Sequence, residues 1–379
     1  MTPQPALFLK PVDEAIPRKG KKFIIAGPCG AESEQQILQT VQDLARSGKV
    51  DLIRAGVWKP RTRPGTFEGR GEEALEWLAH ARQLTGLPFM VEVSNTQHVE
   101  AALKFRTDAL WIGARTTVNP FTVQEIADAI KGTDIPVFVK NPVNPDLQLW
   151  IGALERINRA GITMLAAIHR GFHTAVKTQY RNAPMWEQAI ALKELFPELP
   201  VICDPSHISG RRELIRDVAQ KAFDLTFDGL MVEVHPDPDH ALSDAAQQLT
   251  PQDFLHMLNQ LIIRDPKADD TNFEYMLLTL RQVIDEIDEE MLQALSRRMQ
   301  VVERIGEFKA QHGVTILQID RWLEMLRTRT DAGAALGLDD DIVVELCQLL
   351  HKASIRKQNE VMNRKQDEQH TNTLRKLEE

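Results

Sequence analysis

The sequence predicts a (β/α)8 TIM barrel followed by an all-α unit of three helices. Eight short apolar runs fill the first two-thirds of the 379-residue chain, and nearly every one ends in a charged or reactive residue. Segments of amphipathic-helix length separate these runs. After about Leu261 the β-branched runs stop and long helical periodicity takes over.

Taken in order, FIIAGPCG ends in Cys29, and DLIRAGVWKPRT carries Arg54, Lys59, Arg61 and Thr62. FMVEV carries Glu92, ALWIGAR ends in Arg115, and VFVKN brings Lys140. MLAAIHRG ends in His169 and Arg170, VICDPSH in Asp204 and His207, and LMVEVHP carries Glu233 and His235. A strand buried on both faces reads as a continuous apolar run and has no reason to finish in Arg, Lys, His or Cys. A barrel that gathers the C-terminal ends of its strands on one functional face supplies the reason. Between the runs, segments 33–47, 71–85, 123–131, 148–160, 183–196 and 210–222 read as helices. Strict alternation of strand and helix implies parallel strands with right-handed crossovers. The rival, an open doubly wound sheet, carries a G-x-G-x-x-G turn after its first strand. The turn here is GPCGAES, which does not fit.

The domains expected are a barrel over 1–261, a linker over 262–272 containing Pro266, and a helical unit over 273–379. In the helical unit, Phe273, Met276, Leu280, Ile284, Ile287, Met291, Leu295, Val302 and Ile305 recur at helical spacing, with no proline or glycine before Gly306. That predicts a first helix on the order of 50 Å long. Such a stripe is too long to be buried by two shorter helices, so a second copy of the chain is expected against it. Two further helices are expected over about 319–332 and 339–365. The polar tail QDEQHTNTLRKLEE is expected to fray. Arg298 and Lys309 lie on the apolar stripe, where cations are costly unless they meet an anion. Arg281 lies nearly a quarter turn away and addresses a different site. Ser354 and Gln358 share one face of the last helix, one turn apart. A coiled-coil dimerisation hairpin with tolerated charges is the plainer alternative.

A net charge of -9 argues against nucleic acid as a partner. No apolar run approaches the ~20 residues of a membrane span. The N-terminal segment lacks the apolar core and cleavage site of a signal peptide. Three widely spaced cysteines, Cys29, Cys203 and Cys347, make no disulfide framework, which points to a reducing cytoplasm.

Strands one, seven and eight are neighbours in a closed barrel, so Cys29, His207, Glu233 and Asp244 can converge there. A thiolate, an imidazole and two carboxylates suit manganese, iron, cobalt or zinc better than magnesium or calcium, and manganese is the ion expected. Alone, Cys29 reads equally as an inert buried thiol. Arg54, Lys59, Arg61, Arg115, Lys140 and Arg170 would repel one another at one mouth unless anions bind there, so polyanionic substrates are expected. Lys140 has a second possible role as a Schiff-base amine in an aldolase. The metal set favours an anion clamp. Asp204 and Glu92 are candidates for proton transfer or water positioning.

The motifs GPCGAES, RAGVWKPRT, IGAR, VFVKNP, HRG, DPSH and MVEVHP…ALSD occur in the order of the 3-deoxy-D-arabino-heptulosonate 7-phosphate (DAHP) synthases. Over about 21–261 the chain resembles the short class I form of that family, which is found fused to other modules. The resemblance implies condensation of phosphoenolpyruvate with erythrose 4-phosphate, the first step of the shikimate pathway. It implies Cys29, His207, Glu233 and Asp244 as metal ligands. Arg54, Lys59, Arg115, Lys140 and Arg170 would lie around phosphoenolpyruvate, with Arg61 and Thr62 on the aldose phosphate.

The stretches LLTLRQVIDEIDEEMLQAL, RRMQVVERIGEFKAQ, ILQIDRW and LHKASIRKQ resemble the all-helical chorismate mutases over about 273–362. That resemblance implies an intertwined homodimer that rearranges chorismate to prephenate. Arg281 of the partner subunit, Arg298, Lys309, Arg321, Ser354 and Gln358 would surround the dicarboxylate. Gln318 stands where an aspartate is common, and Trp322 where a glutamate often meets the substrate hydroxyl, with Glu324 a possible substitute. A chain fusing a first enzyme to a later one suggests feedback inhibition of the barrel by prephenate or chorismate bound to the helical unit.

Overall fold

The structure is a computed structural model that describes residues 6–60, 65–175, 178–265, 267 and 270–378, with side chains as far as Arg364. The chain forms two compact units, residues 1–266 and 267–379.

In the first unit, β1 (Phe23–Gly27), β2 (Leu52–Ala55), β3 (Phe89–Val93), β4 (Ala109–Ile112), β5 (Val137–Lys140), β6 (Leu165–His169), β7 (Val201–Cys203) and β8 (Gly229–Glu233) close into one barrel. Every neighbouring pair is parallel, and β1 pairs with β8, setting Gly27 opposite Glu233. Around it lie α1 (Glu34–Arg46), α2 (Glu72–Thr85), α3 (Thr96–Lys104), α4 (Ala114–Thr117), α5 (Pro120–Ala129), α6 (Leu147–Arg159), α7 (Trp186–Leu195), α8 (Pro205–Ser209), α9 (Ile215–Asp224) and α10 (Pro251–Gln260). Helix α3 was not anticipated. Its periodic stretch is only 9 residues, and Asn95 starts it by accepting a hydrogen bond from the His98 backbone N–H.

Strand parity sorts the site. Successive side chains on a strand point to opposite faces. Leu52, Met90, Trp111, Phe138, Ile168, Ile202 and Met231 fill the barrel interior. Ile53, Val91, Val139, Ala167, Cys203 and Val232 face the helices. Arg54, Glu92, Lys140 and Glu233 are in step with the interior set and so point inward. His169 is in step with the outer set. It stacks beyond the barrel wall, with ring centroids 6.3 Å from Trp150, 5.8 Å from Phe172, 5.3 Å from Trp186 and 5.9 Å from Phe227. Its place at a strand end therefore does not put it at the mouth.

The second unit holds α11 (Thr271–His312), α12 (Ile319–Ala335) and α13 (Asp340–Glu378). The 42 residues of α11 span about 63 Å at 1.5 Å per residue, longer than the sequence suggests. Gly306 does not end the helix. It gives α13 room to approach, because a Cβ there would lie 3.3 Å from the Gln358 backbone. Gly313, in the left-handed conformation, is the residue that terminates α11. The backbone of α13 stays helical to Glu378 instead of fraying. Val302, Val343, Cys347 and Val361 are buried. Phe273, Met276, Leu280, Ile284, Ile287 and Met291 are each more than half exposed. No described helix is long and apolar enough to cross a membrane.

Candidate functional site

Donor atoms of Cys29, Glu233 and Asp244 lie within 4.8 Å of one another. Cys29 comes from the turn after β1, Glu233 ends β8, and Asp244 follows in a loop with left-handed backbone, φ 48°. The thiol Sγ is 3.3 Å from Asp244 Oδ2 and 2.9 Å from Lys59 Nζ. Arg54 Nη1 donates to Glu233 Oε1 at 2.9 Å. His207 stands beside this cluster, its Nε2 3.8 Å from Glu233 Oε1 and its Nδ1 2.9 Å from Asp204 Oδ2. Asp204 also starts α8 by accepting the His207 backbone N–H, so one carboxylate sets both the helix and the imidazole.

Burial and the adjoining Glu233 push the Cys29 thiol up to about 12, against the pull of Lys59. Burial opposes ionisation of Glu233, but His207 and Arg54 outweigh it and hold its carboxyl below the usual range. Asp244 is likewise held down by Arg181 and His207 despite its burial. Burial first and the adjoining carboxylates second keep the thiol protonated, and a divalent cation at the cluster would offset both. The donor set, one soft and several harder atoms, fits a borderline metal.

Next to the donors is a cavity of about 250 Å³, lined by Lys59, Glu92, Arg115, Lys140, Arg170, Arg181, His207 and Asp244. Lys140 Nζ makes a buried ion pair with Asp204 Oδ2 at 2.7 Å. Burial opposes ionisation of Asp204, but His207 and Lys140 hold its carboxyl well below the usual range. The Arg170 guanidinium donates to Asn182 Oδ1 at 2.8 Å. Burial, with Arg181 and Arg115 nearby, pushes it down to about 10. An arginine crowded this way is a site for an anion. Arg115 donates to the Pro60 carbonyl. Glu92 Oε2 accepts from Trp111 Nε1 at 3.1 Å. Gly113 is required beside it, since a Cβ there would lie 2.0 Å from Glu92 Oε1. Arg54 is only 2 % exposed and lies under Trp111, with its two terminal nitrogens on Glu233 and the Cys29 carbonyl. It belongs to the floor of the donor cluster and is not among the residues lining the cavity. Arg61 and Thr62 lie outside the described residues. Arg181, Asn182 and Gln247 were not singled out in the sequence, because Arg181 and Asn182 sit on a loop and Gln247 ends a single 3-10 turn, all away from any strand end.

In the helical unit, Arg298 Nη1 donates to Ser354 Oγ at 2.9 Å. Lys309 donates to the Ile316 carbonyl, and burial lowers its pKa. Gln358 is buried with its Oε1 lacking a partner among the described residues. Trp322 stacks on His351 at 4.0 Å, while Arg321 pairs with Glu324 at 2.7 Å. Arg281 is exposed, and its 17 residues of separation from Arg298 put it about 26 Å along the helix.

A closed barrel with inward cations, a polyanion-sized cavity and a mixed thiol–carboxylate cluster at its mouth defines an anion-handling barrel enzyme. Residues 10–264 match the DAHP synthetase I family, and the chain belongs to it. Residues 280–359 match chorismate mutase type II, so the chain joins a 3-deoxy-7-phosphoheptulonate synthase to a chorismate mutase. The phospho-2-dehydro-3-deoxyheptonate aldolase of Thermotoga maritima is 31% identical over 238 residues, covering 63% of this chain and 68% of that protein. The 2-dehydro-3-deoxyphosphooctonate aldolase of Nitratidesulfovibrio vulgaris is 26% identical over 253 residues, 59% of this chain and 85% of that one. The solved DAHP synthase of Thermotoga maritima superposes with a TM-score of 0.57 at 28% identity, covering 64% of this chain and 68% of that chain.

Proposed function

We propose that the barrel condenses phosphoenolpyruvate with erythrose 4-phosphate, and that the helical unit rearranges chorismate to prephenate. The observation that carries the first is the crowding of Lys59, Arg115, Lys140 and Arg170 around one cavity beside the Cys29–Glu233–Asp244 cluster. Cys29, His207, Glu233 and Asp244 would hold a divalent ion, manganese first. When bound, that ion supplies Lewis-acid polarisation of the aldehyde oxygen. Lys140, Arg115, Arg170 and Lys59 hold the phosphate and carboxylate of phosphoenolpyruvate and offset the repulsion between two anionic substrates. Arg61 and Thr62 take the aldose phosphate. The enol carbon attacks the aldehyde, water adds at the carbon bearing phosphate, and phosphate leaves with its oxygen. Glu92 and Asp204 would orient that water or carry its proton. Lys140 is read as an anion clamp, because it lines the cavity beside Lys59, Arg115 and Arg170 and pairs with Asp204.

The mutase needs neither nucleophile nor metal. Arg298, Arg321 and the partner subunit's Arg281 bind the two carboxylates and select the compact conformer. Lys309 and Gln358 stabilise charge developing on the ether oxygen. The uncovered stripe of α11 supports a homodimer that supplies Arg281 in trans. Prephenate or chorismate bound there inhibits the barrel by favouring one arrangement of the two units over another. The three free cysteines fit work in a reducing cytoplasm.

The deciding assay supplies phosphoenolpyruvate and erythrose 4-phosphate with and without divalent metal, and chorismate separately. Turnover of both, with only the first sensitive to chelator, is expected. Chelator-insensitive condensation with substrate trapped on Lys140 by borohydride would replace the metal reading with a Schiff base. Synthase rates against added prephenate, in the full chain and in one ending after Leu261, test the feedback. Insensitivity of both removes it.

A further inference from the structure

Arg181 and Gln247 carry no role in the reaction as set out above, yet they join the two carboxylates of the donor cluster. Arg181 Nη1 donates to Asp244 Oδ1 at 3.0 Å and to Gln247 Oε1 at 2.6 Å. Gln247 Nε2 in turn donates to Glu233 Oε2 at 2.7 Å. The amide is 1% exposed and has only one sensible orientation, since turning it over would set its oxygen against a carboxylate and its NH2 against a guanidinium.

The two bonds divide the carboxylate oxygens. With Oδ1 held by Arg181, Asp244 turns Oδ2 to the Cys29 sulfur at 3.3 Å. With Oε2 held by Gln247, Glu233 keeps Oε1 for Arg54 and the His207 side. Arg181 is itself anchored to the element that carries His207. Its backbone N–H donates to the Ser209 carbonyl at 3.3 Å, and the Asn182 amide donates to the His207 carbonyl at 2.6 Å. Gly210, which ends α8, leaves space for the arginine stem, because a Cβ there would lie 2.4 Å from Arg181 Cβ. One loop residue thus links the helix of His207 to Asp244 directly and to Glu233 through the buried amide.

We propose that Arg181 and Gln247 form a polar bridge that aims Asp244 and Glu233 at a common divalent ion, and so act as positioning residues for metal binding. The proposal rests on the metal reading above. Partners of this kind, one shell out from a metal, typically set affinity by about 10–100-fold. Because Arg181 and Gln247 are bonded to each other while each holds its own carboxylate, each residue steadies the other's bond and the losses should be less than additive.

The test is calorimetric titration of the chelator-stripped full chain with Mn2+, in the parent, Arg181→Met, Gln247→Met and the double variant. Each single variant should bind about 10–100-fold more weakly, and the double variant should lose less than the product of the two single losses. Arg181→Lys and Gln247→Asn, the milder changes, keep the test open if a methionine variant does not fold. Lysine keeps the charge without the planar fork, so an intermediate affinity is expected for it. Dissociation constants within about twofold of the parent would remove the bridge, because a 10-fold loss is the least it predicts. So would an unchanged constant paired with a raised KM for phosphoenolpyruvate, which would make Arg181 a substrate clamp, and so would fully additive losses. A parent that binds no Mn2+, Fe2+, Co2+ or Zn2+ would remove the metal reading and the bridge with it. Binding by the parent with indifferent variants removes the bridge alone.

Discussion

The barrel site brings its groups together within one chain, whereas the residues proposed for the helical site are spread along one long helix. At the barrel mouth nearly every functional group is already engaged: Arg54 with Glu233, Lys140 with Asp204, Lys59 with Cys29 and Arg181 with Asp244. In the helical unit Arg298 and Ser354 meet, but Arg281 stands about 26 Å away on the same rigid helix and faces solvent. Neighbouring strands bring distant residues together inside one chain. A long straight helix separates its own residues and brings them to another chain. The first site should therefore be indifferent to assembly, and the second should depend on it.

The sharpest test of that separation is Cys29→Ser. A hydroxyl is a poor substitute for a thiolate on a borderline metal, so condensation is expected to be nearly abolished. Rearrangement should be unaffected, because no cysteine of the donor cluster lies in the helical unit. Both rates are measured on the same preparation. Metal-loaded variant protein with parental synthase turnover would take Cys29 out of the site.

Arg298→Ala is the mirror experiment. Losing one preorganised donor to developing charge costs roughly 100–1000-fold in rate. The mutase rate should fall by that order while the synthase changes little. A mutase rate within a few-fold of the parent would leave Arg298 as a residue that merely packs against Ser354.

Ile284→Glu tests dependence on a second chain. Ile284 is 55% exposed within the uncovered stripe of α11. A two-fold interface would bury the new carboxylate twice without a partner. Each ~1.4 kcal/mol of that cost weakens association tenfold. Sedimentation should show a smaller species, with the mutase activity becoming dependent on protein concentration and the synthase turnover per chain retained. An unchanged mutase at low concentration would mean that Arg281 is not needed in trans.

What was legible in the sequence follows from the same contrast. Buried parallel strands read as apolar runs, so the eight strands and the inward cations at their ends could be seen. Pairing of β1 with β8 is what brings Cys29, Glu233 and Asp244 within reach of one another from opposite ends of the barrel sequence. Strand parity was the missed rule, and it is why His169 was grouped with mouth residues. Arg181 and Gln247 were invisible because a loop and a single 3-10 turn follow no period. Gly306 misled the length of α11 because a glycine can mark close packing as well as a helix end.

His169 supplies the smallest expected effect on either activity, and it separates the outer layer of the barrel from its mouth. Burial among Trp150, Phe172, Trp186 and Phe227 lowers the imidazole from its ordinary 6.5 to about 3. Neither ring nitrogen has a hydrogen-bond partner among the described residues, and the opposing influence of the Pro184 backbone is outweighed by burial. The unfolded chain binds this proton below pH 6.5, while the folded chain binds it only below about 3. Between those values the unfolded state carries more protons, so stability rises with pH. The contribution from keeping the ring neutral is complete above about pH 6.5, falls as the medium is acidified, and is gone below about 3. His169→Phe keeps an aromatic ring in the cluster and removes the titration. Its unfolding midpoint should track the parent near neutrality and fall less steeply as pH drops below 6.5. The measurement is thermal unfolding of parent and variant across that window. Parallel curves would mean that the imidazole accepts a proton inside the fold and that its aromatic surroundings open at mildly acidic pH.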